Sequence, residues 1–180
     1  NYPPTCGVAI SSSYDAQSRR LTITPRICSA TATAYRYLVF LVEDGIEHSQ
    51  YGTTGTYTHN NVVRAVLSDN IYGVRFNGGA TLTAGEDTAL STPLTTTLNS
   101  SWRPENMRIV VAALPSQDGG VTYHCNNTNE CALGSNADYA YEGDDGGEGD
   151  TGSGDTGNVA EYNRHVAVFE FTGAWCSFCP

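Results

Sequence analysis

Apolar and polar residues alternate with a period of two through most of the first 125 residues, the spacing of strands that have one wet face. The segments with this alternation, separated by Gly, Asn, Asp, Ser and Pro, predict strands over residues 8–12, 20–24, 35–43, 47–51, 57–67, 72–77, 90–98, 107–114 and 121–125. One of them departs from alternation. Tyr37, Leu38, Val39, Phe40, Leu41 and Val42 are apolar without interruption, so this strand needs cover on both faces and belongs in the middle of a sheet. Leu90, Leu94 and Leu98 alternate with polar neighbours. Pro93 has no N–H to donate, which sends that strand to an edge or a bulge. Asp44-Gly45 carries the chemistry of a tight primed turn, so 35–43 is expected to pair with 47–51. About nine short strands and no helical periodicity predict an all-β fold, an immunoglobulin-like β-sandwich.

The pattern stops after Tyr141. Residues 142–158 contain seven Gly, six acids and no apolar side chain, a linker by composition. A strand pattern then returns in Arg164, His165, Val166, Ala167, Val168, Phe169, Glu170 and Phe171. The chain therefore divides into a sandwich over 1–141, an acidic linker over 142–158 and a C-terminal strand segment over 159–180. That last strand is detached from the others in sequence. A lone apolar strand does not survive in water, so it must fold back, open another domain or pair with another molecule.

Charge narrows the partners. All nine basic residues are Arg, against 19 Asp and Glu, for a net charge of -10. Such a surface repels phosphate backbones and argues against nucleic acid. No run is long and apolar enough for a transmembrane helix, and the opening at Asn1 reads as that of a processed product. Six cysteines in a Lys-free, Thr-rich chain point to an oxidising, extracellular or cell-surface setting in which Cys6, Cys28, Cys125, Cys131, Cys176 and Cys179 are paired as staples. About 15 pairings are open. Proximity in sequence favours Cys125 with Cys131 and Cys176 with Cys179, leaving Cys6 and Cys28.

Several motifs suggest chemistry. Asp150-Thr151-Gly152 and Asp155-Thr156-Gly157 match the aspartic-protease triplet, but they sit five residues apart in one Gly-rich stretch with no apolar strand to desolvate them. Asp144, Asp145, Glu148, Asp150 and Asp155 offer hard oxygen ligands for calcium, while the glycines let the chain wrap; the spacing matches no EF-hand, and a solvated linker is the plainer reading. His48, His59, His124 and His165 accompany no catalytic motif, so the chain reads as a non-enzyme. Asn99 and Asn126 head Asn-x-Ser/Thr triplets in expected loops and are candidate glycosylation sites. Trp175-Cys176-Ser177-Phe178-Cys179-Pro180 follows a strand, as a thioredoxin-like active site does, although no helix follows Pro180 to activate the thiol.

Two groups of residues resemble an outer-membrane lipoprotein family of Bacteroidetes, in which an immunoglobulin-like domain accompanies a thioredoxin-like domain. The first comprises Leu41-Val42-Glu43-Asp44-Gly45, Thr58-His59-Asn60-Asn61-Val62-Val63-Arg64, Leu82-Thr83-Ala84-Gly85-Glu86, and Trp102 with Asn106 before Ile109-Val110-Val111-Ala112. The second, Phe169-Glu170-Phe171-Thr172-Gly173-Ala174-Trp175-Cys176, is similar to the opening of the thioredoxin-like partner. In the same phylum, Asp87-Thr88-Ala89 resembles an acceptor for protein O-glycosylation, which adds Thr88 to the candidates.

Two functional readings follow. The first is a subunit of an extracellular filament, a head-to-tail homopolymer in which Val166, Ala167, Val168, Phe169 and Phe171 form a donor strand that completes a neighbour's sheet. The second is the accessory domain and truncated active-site segment of a thioredoxin-like thiol-disulfide surface lipoprotein, with Cys176 and Cys179 as the reactive pair.

Overall fold

A computed structural model describes residues 4–51, 54–69, 71–116 and 124–140. Twelve strands are present among them: β1 (Cys6–Asp15), β2 (Arg20–Ser29), β3 (Thr33–Glu43), β4 (Ile46–Ser49), β5 (Thr56–His59), β6 (Val62–Val66), β7 (Val74–Arg75), β8 (Thr81–Leu82), β9 (Asp87–Ala89), β10 (Leu94–Thr97), β11 (Met107–Pro115) and β12 (Asn127–Ala132). They form an all-β sandwich. One antiparallel sheet runs β1-β2-β10, with β9 also on β2; the other runs β12-β11-β3-β6, with β7 and β8 continuing along β3. Val8, Ile10, Leu21, Ile23 and Ile27 of the first sheet meet Tyr35, Tyr37, Val39, Leu41, Ile109, Val111 and Ala113 of the second in one buried core. These are alternate residues on each strand, as a pleated sheet packed on one face requires.

The long apolar strand is central, as its sequence predicts. β3 pairs with β11 over nine residues and with β6 on its other side. Its intervening residues Leu38, Phe40 and Val42 are buried as well, on the side away from the core. Pro93 directly precedes β10, whose ladder is with β2 alone.

The structure corrects several expectations. Residues 35–43 do not pair with 47–51: β4 pairs with β5 in a separate two-stranded sheet. The reason lies in Asp44, whose side chain is held by Arg108 and the Asn61 N–H, so the chain leaves the sheet instead of turning back along it. The expected strand 57–67 is broken at Asn60-Asn61, where Asn61 takes φ 59°, and its halves join different sheets. Asn127–Ala132, which the alternation does not mark, pairs with β11; of the expected strand over 121–125, residues 121–123 lie outside the described residues. The strand over residues 90–98 shortens to Leu94–Thr97, and Asp87–Ala89 forms its own pairing with β2.

One side of the sandwich is closed by asparagine. The Asn127 and Asn129 amides, on the core side of β12, donate to the β1 carbonyls of Cys6 (3.0 Å) and Val8 (2.8 Å). Asn126 Oδ1 accepts from the Thr5 and Cys6 N–H groups, at 2.8 and 3.1 Å. Further along β1, Ile10 exchanges two backbone bonds with Ala137, and the Ser12 N–H donates to Asn136 Oδ1 at 2.9 Å. Gly134, at φ +76°, makes the turn that brings 135–139 back; a Cβ there would lie 3.0 Å from that of Tyr14. Asn129 also donates to the Asp138 carbonyl (2.8 Å) and so joins all three segments. Asn129→Ala would strand the buried Val8 carbonyl, at about 1–3 kcal/mol, and the part-buried Asp138 carbonyl, at less. The variant should lose about 2–4 kcal/mol in urea unfolding and Asn136→Ala, at an exposed site, clearly less; equal losses would refute the seam's importance.

Candidate functional site

The charged end of the sandwich gathers the polar chemistry of the second sheet. Glu43 closes β3 on the core-facing side, 1% exposed. Its carboxylate accepts from Arg64 Nε at 2.7 Å and from Arg103, through the backbone N–H at 3.2 Å and Nε at 3.4 Å. The register of β6 on β3 shifts between Leu41 and Val42, so Arg64 has no ladder partner. A bulge of this kind re-aims a side chain, and here it delivers Arg64 to Glu43.

Asp44 carries the network outward. It accepts from the Asn61 N–H at 2.5 Å and pairs with Arg108, whose Nε reaches Glu130 at 3.1 Å and whose other nitrogen meets Asn61 Oδ1. Gly45, at φ +68°, donates to Asn60 Oδ1 at 2.9 Å and receives Arg103 at its carbonyl. An open cavity of about 660 Å³ lies here, lined by Asp44, Asn60, Asn106, Arg108 and Glu130 among others. Glu43, Asp44 and Glu130 are balanced by Arg64, Arg103 and Arg108. Each carboxylate is thus already engaged by a guanidinium, and the arrangement fixes two turns rather than poising a base.

A second cluster lies near the end of the described residues, at Tyr139. Tyr139 donates to Asp87 Oδ1 at 2.6 Å, Arg26 forms an ion pair with Asp87, and the Arg26 guanidinium carbon sits 5.5 Å from the Tyr139 ring centre. The Arg26 hydrogen bond, aided by Tyr139, holds the Asp87 carboxyl below the usual carboxylate range, while burial and Asp87 raise the Tyr139 hydroxyl.

The candidate residues fare differently. The donor strand Val166, Ala167, Val168, Phe169 and Phe171, the calcium ligands Asp144, Asp145, Glu148, Asp150 and Asp155, and Cys176 and Cys179 lie outside the described residues. No group of three His, Cys, Asp or Glu fit to hold a metal occurs among the described residues. Cys6 pairs in register with Ser29, and Cys28 with Gly7, so the Cys6 and Cys28 side chains point to opposite faces and cannot bridge. Cys125 precedes an extended strand that carries Cys131. Among the four described cysteines no disulfide joins one to another. Burial pushes the Cys6 thiol up to about 12 and Cys131 to about 11, which suppresses thiolate chemistry at both.

Asn99 stands exposed, its Oδ1 accepting from the Ser101 N–H and hydroxyl. Asn126 is instead committed to Thr5 and Cys6 with both amide atoms, so a glycan there would have to displace that contact. Thr88 lies within β9 opposite the core-facing Ile27. Sequence reasoning missed Arg103, which comes from the turn before β11, and Arg108 and Glu130, which come from the β11–β12 pair; none carries a local signature.

Fold and site together define a two-sheet antiparallel β-sandwich in which Leu41 to Gly45, Thr58 to Arg64 and Asn106 converge on one end. Residues 4–133 match the family model described as outer membrane protein Omp28, and the chain belongs to that family. Membership locates it to the cell envelope or surface. No curated protein and no solved structure matches the chain. No helix among the described residues is long and apolar enough to cross a membrane.

Arg64→Ala would leave the buried Glu43 carboxylate with Arg103 alone, and breaking a buried pair from one side costs about 3 kcal/mol or more. Arg103→Ala, at a longer contact and on a half-exposed side chain, should cost less in urea unfolding; the reverse order would sink this account of the site. The Asp87 pair supports the fold above the ordinary Asp pKa and loses that support as the pH falls through the lowered value. In an NMR titration, Asp87 should ionise below a free aspartate and move back up in Arg26→Gln; an unmoved titration would exclude the Arg26 contact as its cause.

Proposed function

We propose that this protein is a structural, non-catalytic subunit of an extracellular assembly, joined head to tail by its C-terminal strand, residues 166–171, donated to a neighbour's sheet. One observation carries the reading. The sheet β12-β11-β3-β6 is apolar on both of its faces, with Val39, Leu41, Ile109 and Val111 on the core side and Leu38, Phe40, Val42, Val110, Ala112 and Leu114 on the other. In the donor segment, Val166 and Val168 alternate with Ala167, Phe169 and Phe171, so it too is apolar on both faces. A strand of that pattern is satisfied where both faces are covered, and the edge of β6 extends such a sheet.

The immunoglobulin-like likeness and the outer-membrane family support a surface location for the assembly. The second reading, a thiol-disulfide segment at Cys176 and Cys179, draws on the Trp-Cys-x-x-Cys-Pro motif and predicts dithiol reactivity instead of polymers.

Burial of Phe169 should contribute about 1.5–3 kcal/mol to each junction, with Val168 adding a similar amount. The intact chain is therefore expected to form filaments in negative stain, and Val168→Asp with Phe169→Asp to remain monomeric by light scattering while keeping its β-sheet circular dichroism. Filaments of normal diameter from the double variant, or an intact chain that stays monomeric at every concentration tested, would overturn the proposal.

A further inference from the structure

The outward face of the second sheet is too well buried for what lies on it. Leu38, Phe40, Val42, Val110, Ala112 and Leu114 are each no more than 9% exposed, and Val42 and Val110 are at 0% and 1%. Strand register places Phe40 beside Val110 and Leu38 beside Ala112, so the six make one continuous patch across β3 and β11. Among the described residues, the apolar side chains packed on this patch are Val63 and Val66 of β6, which belong to the same sheet. Neighbours in one sheet cannot cover its face; that takes a further layer.

The sequence outside the described residues offers few candidates for that layer. Residues 142–158 contain no apolar side chain, and 117–123 contain only Val121 and Tyr123. Residues 159–180 contain Val166, Ala167, Val168, Phe169, Phe171, Trp175 and Phe178. Reach is no obstacle. From Ala140, anchored beside Tyr139 at the first sheet, the chain to Val166 spans up to about 90 Å when extended, while two packed sheets are only about 10 Å apart.

We propose that the outward face of β3 and β11 is a docking site for residues 166–171 of the same chain, which rest there in the unassembled subunit. The larger face of the strand, Ala167, Phe169 and Phe171, meets the patch. Val166 and Val168 then point away from it, so the docked strand is covered on one side only. A slot in a neighbour's sheet covers both sides. The docked state is therefore a store from which the strand is released to its better site, an exchange of one element between copies. The release half rests on the assembly proposed above; the docking half stands without it.

The test uses the intact chain with the photo-reactive residue benzoylphenylalanine in place of Phe169, as an equal mixture of ¹⁴N- and ¹⁵N-labelled protein diluted until light scattering shows monomer. Irradiation should link the C-terminal tryptic peptide 165–180 to positions 38–42 or 110–114, with both peptides carrying the same isotope. The same residue placed at Val168 should give several-fold fewer links to those positions. Links to any other surface, mixed-isotope links alone, or no link in the monomer would overturn the docking site. Same-isotope links on the patch from a chain that never polymerises would keep the docking site and discard the filament. Polymers without such links would do the opposite.

Discussion

The asparagine seam between β1 and β12 is the contact on which the rest of the sandwich depends. Two sheets packed face to face leave four exposed edges, and each exposed edge is a row of unpaired backbone groups open to a foreign strand. On this side the row along β1 is occupied by side chains. Asn127 and Asn129 meet the Cys6 and Val8 carbonyls, Asn126 meets the first two N–H groups, and Asn136 with Ala137 takes Ser12 and Ile10. Amides serve here because one primary amide offers two donors and an acceptor, and Asn129 spends both donors, on Val8 and Asp138. Among the described residues, β6 and the β9 and β10 edge then have no further strand beside them.

At one end of the sheets the constraint is electrostatic. Glu43 falls on the core-facing side of β3 and cannot reach water without unpairing the strand, so it requires its cations brought to it. The bulge at Arg64 and the Pro104–Asn106 turn beside Arg103 supply them. The same contacts draw the chain out of the sheet at Asp44-Gly45 and return it at Asn60-Asn61. Asp44-Gly45 and Asn60-Asn61 are for that reason turn-forming and charge-bearing: they specify how the chain crosses this end.

Legibility in the sequence followed the range of the interactions. β3 and β11 announce themselves, because burial on both faces leaves an uninterrupted apolar run in Tyr37 to Val42 and Ile109 to Leu114. The Asp44-Gly45 hairpin was misread because a turn dipeptide specifies only the backbone bend; whether the next strand pairs back was decided by Arg108 and Asn61, 64 and 17 residues from Asp44. The break at Asn60-Asn61 was hidden for the same reason, since an apolar alternation continues across a left-handed residue unchanged. β12 was displaced because its core-side positions are filled by asparagines, which alternation counts as solvent-facing. Of the candidate site, Glu43, Asp44, Asn60, Asn61, Arg64 and Asn106 are visible in the sequence within the segments that carry the resemblance, whereas Arg103, Arg108 and Glu130 are not.

A sheet that is apolar on both faces poses a problem that its own sandwich solves on one side only. Packing β1, β2 and β10 against the core side covers Val39, Leu41, Ile109 and Val111, yet the opposite side repeats the demand with Phe40, Val42 and Val110. Soluble sandwiches avoid this by placing polar residues outward along each strand. Here the outward positions of the two central strands are apolar instead, and the polar ones are confined to the flanks, at Arg36, Arg108 and Glu130. That distribution has a cost in solubility unless a further apolar layer is provided. The seam on the β1 side and the apolar outward face of β3 and β11 thus differ in kind: side-chain amides satisfy the backbone groups of the first, whereas the second is an apolar surface that only a further layer can cover.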